Sequence, residues 1–348
     1  MFKVVILIFL DMTNIGNIAY FIGIDISKKT LDIAVLNHND LIFQETISNT
    51  KKSLKSLISM LSKKGIKLNE SIFCAEFTGV YARHLIDVCL NKGLNLWMEN
   101  AYHIKQSQGL KRGKNDKIDA VRIANYAFRN QYDYKGFEEP RNVIKQLKVL
   151  MNQRKRLLAV KKQLTMGMGE KEFRSVAENK LMKTHSVNAM RGLKKDLEIL
   201  EVTIRNLVKS DEALRKQYKI VTSVDGVGPI TAINMIVVSN EFKDISEAKK
   251  FACYSGVVPF SYTSGTSVNS KSKVSKMANH QMKTLLHMGA LSCTRMKGDL
   301  QDFYLRKIEQ GKNKMSIINA IRNKIVLRVF ACVKNNRMYQ KNYEYLVG

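Results

Sequence analysis

Residues 20–36 read Tyr20-Phe-Ile-Gly-Ile-Asp-Ile-Ser-Lys-Lys-Thr-Leu-Asp-Ile-Ala-Val-Leu36, and the organisation of the chain follows from this stretch. Its two apolar runs, 20–24 and 31–36, predict an antiparallel β-hairpin that turns at 27–30. Asp25 comes directly after the first run, where a carboxylate beside a buried sheet is costly unless its charge is compensated. A divalent cation would compensate it. In the alternative interpretation, Asp25 only caps the turn.

The net charge indicates the class of partner. The chain has 348 residues, enough for two or three domains, with ordinary proportions of hydrophobic (45%) and charged (25%) residues. However, 58 Lys and Arg face 30 Asp and Glu, which gives +28 and an isoelectric point near 9.8. Such an excess favours a polyanionic partner, and nucleic acid is the default. A membrane surface is the weaker alternative.

The cysteines and the N-terminus bear on location. The five cysteines are scattered, with no Cys-x-x-Cys and no paired His spacing, which argues against a zinc site and a disulfide framework. Together with the absence of an apolar run of about 18 residues, this favours a reducing cytoplasm and association with the nucleoid. Residues 1–19 are either an extra strand or a non-essential leader, because no small-residue cleavage site follows their apolar run.

Strands and helices alternate beyond the hairpin. An amphipathic helix at 54–61 precedes a short strand at 71–76, and a helix at 81–90 precedes a strand at 93–98. This alternation predicts an α/β domain. The strand at 71–76 ends in Glu76, so a second strand closes on a carboxylate.

Two further acids, Asp116 and Asp119, are three residues apart, which places them on one face of a predicted helix. They form either a solvated helix start or, with Asp25 and Glu76, a cage for two hard cations. Two such ions stabilise the attacking and leaving oxygens of a phosphoryl displacement. No Walker loop and no strand-linked GxGxxG motif occurs, which disfavours ATP hydrolysis and dinucleotide binding. Basic residues surround the pair: Lys111, Arg112, Lys114 and Lys117.

Residues 141–220 are strongly basic and contain no proline. Leu and Ile recur at alternating spacings of three and four, which predicts a coiled-coil seam, and a looser Leu pattern predicts a helix before it. Gly167-Met-Gly169 separates the two helices. We predict an antiparallel helical hairpin or an arm that pairs between subunits; a plain helical spacer is an equal alternative. The seam residues are Leu193, Leu197, Leu200, Ile204, Leu207 and Leu214.

Residues 221–232 carry an apolar-Gly-apolar-Gly turn typical of a helix-hairpin-helix. The N–H groups near Gly226 and Gly228 would then bind a phosphate without regard to base sequence. The alternative is a tight packing turn.

Farther on, an apolar, strand-like run at 251–260 leads into a Ser/Gly/Thr loop at 261–267, followed by Lys271, Lys273 and Lys276 and a helix at 282–290. This loop either contacts DNA or presents a serine nucleophile. A basic amphipathic helix at 314–333 closes the C-terminal domain.

The acidic segments resemble the motifs of the DEDD insertion-sequence transposases, a family related to the Piv DNA invertase. The matching segments are Gly23-Ile24-Asp25 with Ser27-Lys28, Glu76 with Thr78-Gly79, and Lys114-Asn-Asp-Lys-Ile-Asp-Ala120. The resemblance implies a RuvC-like (ribonuclease H fold) domain. It also implies Asp25, Glu76, Asp116 and Asp119 as ligands of two Mg²⁺ ions, with Mn²⁺ as a substitute.

The C-terminal half resembles the same family in Gly256-x-x-Pro259, Ser264-Gly265 and Ser275-Lys276-x-x-Asn279. In that family a serine of the Ser-Gly loop joins DNA covalently. The match assigns this role to Ser264, with Ser261 and Ser267 as rivals, although Thr266 replaces the family's usual second glycine. The resemblance further implies an element-encoded guide RNA, dimers or tetramers, and acids and serine drawn from different subunits.

The sequence therefore predicts a transposase that cuts and rejoins donor and target DNA. Its domains are a leader (1–19), a RuvC-like DEDD domain (20–137), a coiled-coil arm (138–218) and a mainly α-helical C-terminal domain (219–348). A metal-dependent junction endonuclease and a non-catalytic nucleic-acid-binding protein are the alternatives. If replacing Ser264 with Ala has no effect, the endonuclease is favoured. If the chain is indifferent to Mg²⁺, the non-catalytic binding protein is favoured. The predicted nucleic-acid contacts are Lys114, Lys117, Gly226, Gly228, Lys271, Lys273 and Lys276.

Overall fold

The computed structural model describes residues 18–107, 116–166, 171–264, 268–274 and 277–341. The chain divides into two compact units, Met1–Glu139 and Pro140–Gly348. Most of the predicted leader and the Gly167-Met-Gly169 break lie outside the described residues. Within the described ranges, no helix combines the length and the apolar character that crossing a membrane requires.

The first unit contains a five-stranded mixed sheet in the order β3-β2-β1-β4-β5. The predicted hairpin is confirmed: β1 and β2 are antiparallel, and Ile26 faces Leu31 across the turn. β3 extends the hairpin antiparallel to β2, whereas β4 runs parallel to β1 and β5 parallel to β4. The strands are β1 (Tyr20–Ile26), β2 (Thr30–Asn37), β3 (Asp40–Ser48), β4 (Ser71–Glu76) and β5 (Asn95–Glu99).

Helices cover both faces of this sheet, because apolar side chains of its strands point to both faces. Ile22 and Ile24 of β1 point to the face covered by α1 (Lys51–Lys63) and α2 (Arg83–Asn91). Phe21 points to the opposite face, where it shares a core with the helix α4 (Asp116–Arg129). A short helix, α3 (Ala101–Ser107), follows β5 and buries Ile104 in the same core.

Gly23 lets α4 lie directly on the sheet. A Cβ atom at this position would be 2.2 Å from the carbonyl oxygen of Ala120 and 2.3 Å from the amide nitrogen of Ala124. No side chain fits at that distance, so the close approach requires glycine. Near its start, α4 accepts a hydrogen bond of 2.7 Å at the Lys117 carbonyl from Gln44 of β3.

The second unit begins with two long helices, α5 (Asn142–Met166) and α6 (Val176–Ser210). They share one hydrophobic core through residues such as Leu147 of α5 and Ile204 of α6. The predicted seam is wrong at its end. α6 ends at Ser210, and the side chain of Asp211 accepts from the Leu214 N–H to start a separate helix, α7 (Glu212–Thr222). Leu214 therefore belongs to α7, because a helix cap interrupts the heptad pattern.

Arg141 holds the start of α5 in place. Its guanidinium donates to the carboxylates of Asp211 at 2.7 Å and Glu241 at 2.5 Å. The hydrogen bonds from Arg141, followed by the one from the Leu214 N–H, hold the pKa of Asp211 below its ordinary value. Glu241 lies in a run of three non-glycine residues with positive φ, 240–242, which this contact helps to stabilise.

The rest of the second unit is mainly helical around the helix Lys314–Lys334, whose buried residues include Ile321, Ile325 and Val329. The helix predicted at 314–333 is thus confirmed, although it lies in the core. The strand-like interpretation of 251–260 is wrong for its first half, which is helical, and Ser261–Ser264 form a strand where a loop was predicted. The elements are α8 (Pro229–Val238), α9 (Ala248–Tyr254), β6 (Pro259–Ser264), β7 (Val268–Val274), α10 (His280–Cys293), α11 (Asp299–Glu309) and α12 (Lys314–Lys334).

Candidate active site

Asp25 and Glu76 come next to each other at the carboxyl edge of two parallel strands. The last paired residues of β1 and β4 are Ile24 and Ala75, and the two acids are the next residue on each strand. Side-chain alternation places both on the sheet face covered by α4. Adjacent strands are separated by about 5 Å, so the backbone brings these half-buried carboxylates close together.

Asp116 and Asp119 occupy the first turn of α4, which lies on the same face. The Asp119 carboxylate is partly buried and accepts a hydrogen bond of 2.6 Å from Arg122. For Asp116 the described part of the chain includes the backbone but not the side chain. Among the side chains that are described, no group of three or more His, Cys, Asp or Glu is close enough to hold a metal ion. The four-acid site remains a prediction.

The acids of this edge fit a hard cation chemically, because carboxylate oxygens are the ligands that Mg²⁺ prefers. The cross-strand neighbour of Asp25 strengthens this fit. Asp32 on β2 is paired with Asp25, is 6% exposed, and accepts a hydrogen bond from the Thr46 hydroxyl. Like charges directly across a sheet destabilise it, so a positive charge near this pair would offset the repulsion.

The sequence interpretation missed Glu99 as well as Asp32. Glu99 ends β5 and lies opposite Glu76 in the parallel register, so three neighbouring strands carry an acid at or next to their carboxyl ends along one edge. A signal was present, because Glu99 follows its apolar run as directly as Asp25 follows residues 20–24. The Glu99 carboxylate accepts from the Asn100 N–H at 2.6 Å and from the Tyr126 hydroxyl at 3.0 Å, and it contacts His103 at 3.0 Å. Burial, followed by the charge of Glu99, raises the pKa of Tyr126.

The two glycines between α7 and α8 have different surroundings. Gly226 has φ of +84°, and a Cβ there would be 2.6 Å from the Cys293 sulfur and 2.9 Å from the Gly289 carbonyl oxygen of α10. These contacts favour the packing interpretation for Gly226. Gly228 precedes α8 with open space around its Cα, so the N-terminal end of α8 is the part of the turn where a phosphate contact can be proposed.

Ser264 is the last residue of β6 and is paired with Val268 of β7. The structure describes the backbone but not the side chains of Ser261, Ser264, Lys271 and Lys273. The described part of the chain does not include Ser267, Lys276 or Lys114. Lys117 is exposed on α4.

The base of the β6–β7 hairpin is fixed at both ends. The Asn319 side chain donates to the Val257 carbonyl at 2.8 Å before β6, and the Asn279 N–H donates to the Tyr254 carbonyl at 2.8 Å after β7. Gly256, at φ of +62°, allows the close approach of Ala278. The hairpin carrying Ser264 therefore starts from a defined position on the second unit.

Comparison with family models places two transposase matches on the chain. A DEDD transposase model of the IS110 type matches residues 22–168, and a model of the IS116/IS110/IS902 transposase family matches residues 218–305. The first match spans the unit with the acidic sheet edge and continues into α5. The second spans the turn at Gly228 between α7 and α8 and the hairpin with Ser264.

Three relatives support these matches. The pilin gene-inverting protein of Moraxella lacunata is 25% identical over 328 residues, which is 92% of this chain and 98% of that protein. The pilin gene-inverting protein of Moraxella bovis shows the same identity and coverage. A probable family 20 transposase of Pseudomonas aeruginosa is 26% identical over 157 residues, covering 43% of this chain and 46% of that protein.

Proposed function

The chain belongs to the IS110/IS116/IS902 family of transposases and site-specific recombinases, and on this premise we propose that it cuts and rejoins DNA by metal-assisted phosphoryl transfer to a serine. The observation that carries the proposal is that Asp25 and Glu76 directly follow the last paired residues of β1 and β4 at the carboxyl edge, on the face where α4 begins with Asp116. A DNA-cutting enzyme needs acids for a metal and cations for the DNA backbone, and this chain has both.

Asp25, Glu76, Asp116 and Asp119 are the proposed ligands of Mg²⁺, with Mn²⁺ as a substitute. Bound there, the ions supply the positive charge that stabilises the phosphate oxygens during displacement. The protein positions the acids: two come from adjacent strand ends, and two come from a helix that Gly23 allows to lie on those strands. Arg122 orients Asp119 through their contact at 2.6 Å.

Ser264 is the proposed nucleophile. Its Oγ forms a bond to the scissile phosphorus while the bond from phosphorus to a deoxyribose oxygen breaks. The serine proton leaves to water, and the departing oxygen keeps the electron pair of the broken bond and takes up a proton. The strand is held as a phosphoserine ester until a hydroxyl of the exchanged strand attacks the phosphorus and releases the serine. Support comes from the family resemblance of Ser264-Gly265 and from the fixed base of the β6–β7 hairpin. Ser261 and Ser267 are the rival assignments.

We further propose a guide RNA and assembly into dimers or tetramers. The net charge of +28 suits long nucleic-acid contacts, including Lys117, Lys271, Lys273 and the N-terminal end of α8 near Gly228. Apolar side chains on the outside of the long helices, such as Val149 and Ile199, suit pairing of arms between subunits. The proposed domains are the RuvC-like domain (20–137), the arm (138–218) and the C-terminal domain (219–348).

A recombination assay tests the function directly. The purified full chain is incubated with Mg²⁺, a plasmid carrying the ends of its own element, a target plasmid and RNA transcribed from the non-coding DNA beside its gene. We expect element ends to be cut and joined to target DNA. If the chain binds these ends and never cuts them, it is a binding protein; if it cuts and never joins, the endonuclease alternative is correct.

The affinity for nucleic acid is expected to fall steeply with salt. If the basic residues neutralise roughly 6–10 phosphates, affinity drops on the order of 10³-fold or more between 50 and 200 mM salt. Fluorescence anisotropy with labelled DNA and RNA over this range measures the slope. A flat response would mean that the charge of +28 serves a different purpose.

A further inference from the structure

The Glu99 carboxylate contacts three neighbouring polar groups. One of its oxygens accepts from the Asn100 N–H at 2.6 Å and contacts the Nδ1 atom of His103 at 3.0 Å, and the other accepts from the Tyr126 hydroxyl at 3.0 Å. Its side chain is only 15% exposed, and Tyr126 is buried against Trp97. A carboxylate with this many partners is held rigidly and in turn fixes its neighbours.

His103, in contrast, extends into solvent with 61% of its side chain exposed. Its helix, α3, is anchored by the buried side chain of Ile104. At the start of the helix, the Asn100 side chain accepts a hydrogen bond from the Tyr102 N–H at 2.9 Å. Because Glu99 engages Nδ1, the Nε2 atom is the ring nitrogen that faces outward. An imidazole oriented by a carboxylate in this way is the arrangement used for proton transfer.

The strand register relates the Glu99–His103 pair to the acids Asp25 and Glu76. Glu99 lies opposite Glu76 in the register of β4 and β5, and Glu76 lies beside Asp25 at the end of β1. Adjacent strands are about 5 Å apart, so Glu99, which contacts His103, lies one strand from Glu76 and two strands from Asp25, and a phosphate bound at these two acids would lie beside the strand that positions His103. Asp25, Glu76 and Glu99 share one edge and one face of the sheet.

We propose that His103 is a catalytic residue that protonates the leaving oxygen of the scissile phosphate, with Glu99 as its positioning residue. The inference rests on the proposed cleavage at the acidic edge and holds for any attacking hydroxyl. As the bond from phosphorus to the leaving oxygen breaks, that oxygen keeps the electron pair and takes the proton of His103 Nε2. In rejoining, which is the reverse step, Nε2 takes the proton back from the hydroxyl that attacks the phosphorus.

An ordinary surface contact is the competing explanation, because His103 and Glu99 are four residues apart and such pairs also steady short helices. A bridging sulfur substrate distinguishes the two roles. Sulfur in place of the leaving oxygen departs as a thiolate and needs no proton, so a missing proton donor no longer matters. Two duplexes, with sulfur on the 3′ or the 5′ side of the scissile phosphorus, cover both possible leaving groups.

We expect His103→Asn to bind DNA normally and to cleave ordinary DNA about 10²–10⁴-fold more slowly than wild type. On one of the sulfur duplexes its rate should return to within about tenfold of wild type on the same duplex. Glu99→Gln should show the same pattern to a smaller extent. His185→Asn, an exposed histidine on α6, is the matched control and should behave as wild type on all substrates.

Two results would overturn the assignment: a wild-type rate for His103→Asn on ordinary DNA, or an equal defect on ordinary and sulfur DNA. Asp25→Asn separates this inference from the proposed function, because loss of the acid should stop cleavage of every duplex. If wild type cleaves and Asp25→Asn does too, the acidic site fails and His103 has no phosphate to act on. If wild type cleaves none of the duplexes under conditions that support binding, both proposals fail.

Discussion

Replacing Asp25 with Asn is expected to reduce strand cleavage by about 10³-fold or more, which is below detection on a gel. The substitution keeps the shape of the side chain and removes one negative charge from the proposed metal site. The backbone of β1 keeps its pairing with β2 and β4, so the fold should persist. Binding of DNA and RNA should change little, because the basic contacts are untouched. Cleavage of labelled element ends in Mg²⁺ measures the effect, and gel-shift titration measures binding.

The same loss is expected for Glu76→Gln, Asp116→Asn and Asp119→Asn, since each removes one proposed ligand. Asp40→Asn is a matched control, because Asp40 is an exposed acid at the start of β3. It should cleave as wild type does. Normal cleavage by any of the four acid variants would remove that residue from the site. A variant that also loses its far-ultraviolet circular dichroism spectrum would indicate a folding defect, and the Ala or Ser variant would then replace it.

Replacing Ser264 with Ala is expected to abolish the covalent protein–DNA adduct completely. A metal-only nuclease uses water and leaves no protein on the DNA, whereas a serine nucleophile passes through a phosphoserine ester. Denaturing gels of end-labelled DNA detect the adduct as a slowly migrating band that protease treatment removes. Loss of the hydroxyl leaves the strand pairing of β6 with β7 intact, so DNA binding should be retained.

Ser261→Ala and Ser267→Ala are the controls for this assignment. Ser261 lies on the same strand as Ser264, and both controls should still form the adduct. If the adduct survives Ser264→Ala and disappears in one of the controls, the nucleophile is that neighbouring serine. If wild type cleaves DNA and never forms an adduct, the serine mechanism is wrong and the endonuclease alternative is favoured.

Local pattern predicted most of the first unit. The hairpin at 20–36, the strand at 71–76 and the helix that contains Asp119 follow from apolar runs, turn residues and helical spacing, all of which act over a few residues. The family motifs then identified candidate acids from short segments.

Predictions were weaker in the second unit. The helix at 251–254 and the strand at 261–264 were misassigned, because short apolar or Ser/Thr-rich segments suit more than one structure until their neighbours are known.

The sequence by itself determined the types of elements in the first unit, the basic character of the chain and the acids that end its strands. Tertiary structure decided which of those ends meet. Glu99 is 23 residues from Glu76, and only the parallel register of β4 and β5 places them side by side. The need for glycine at position 23 likewise arises from α4, which is about a hundred residues away in the chain. Such contacts depend on register and helix docking, which are set by the packing of the whole unit.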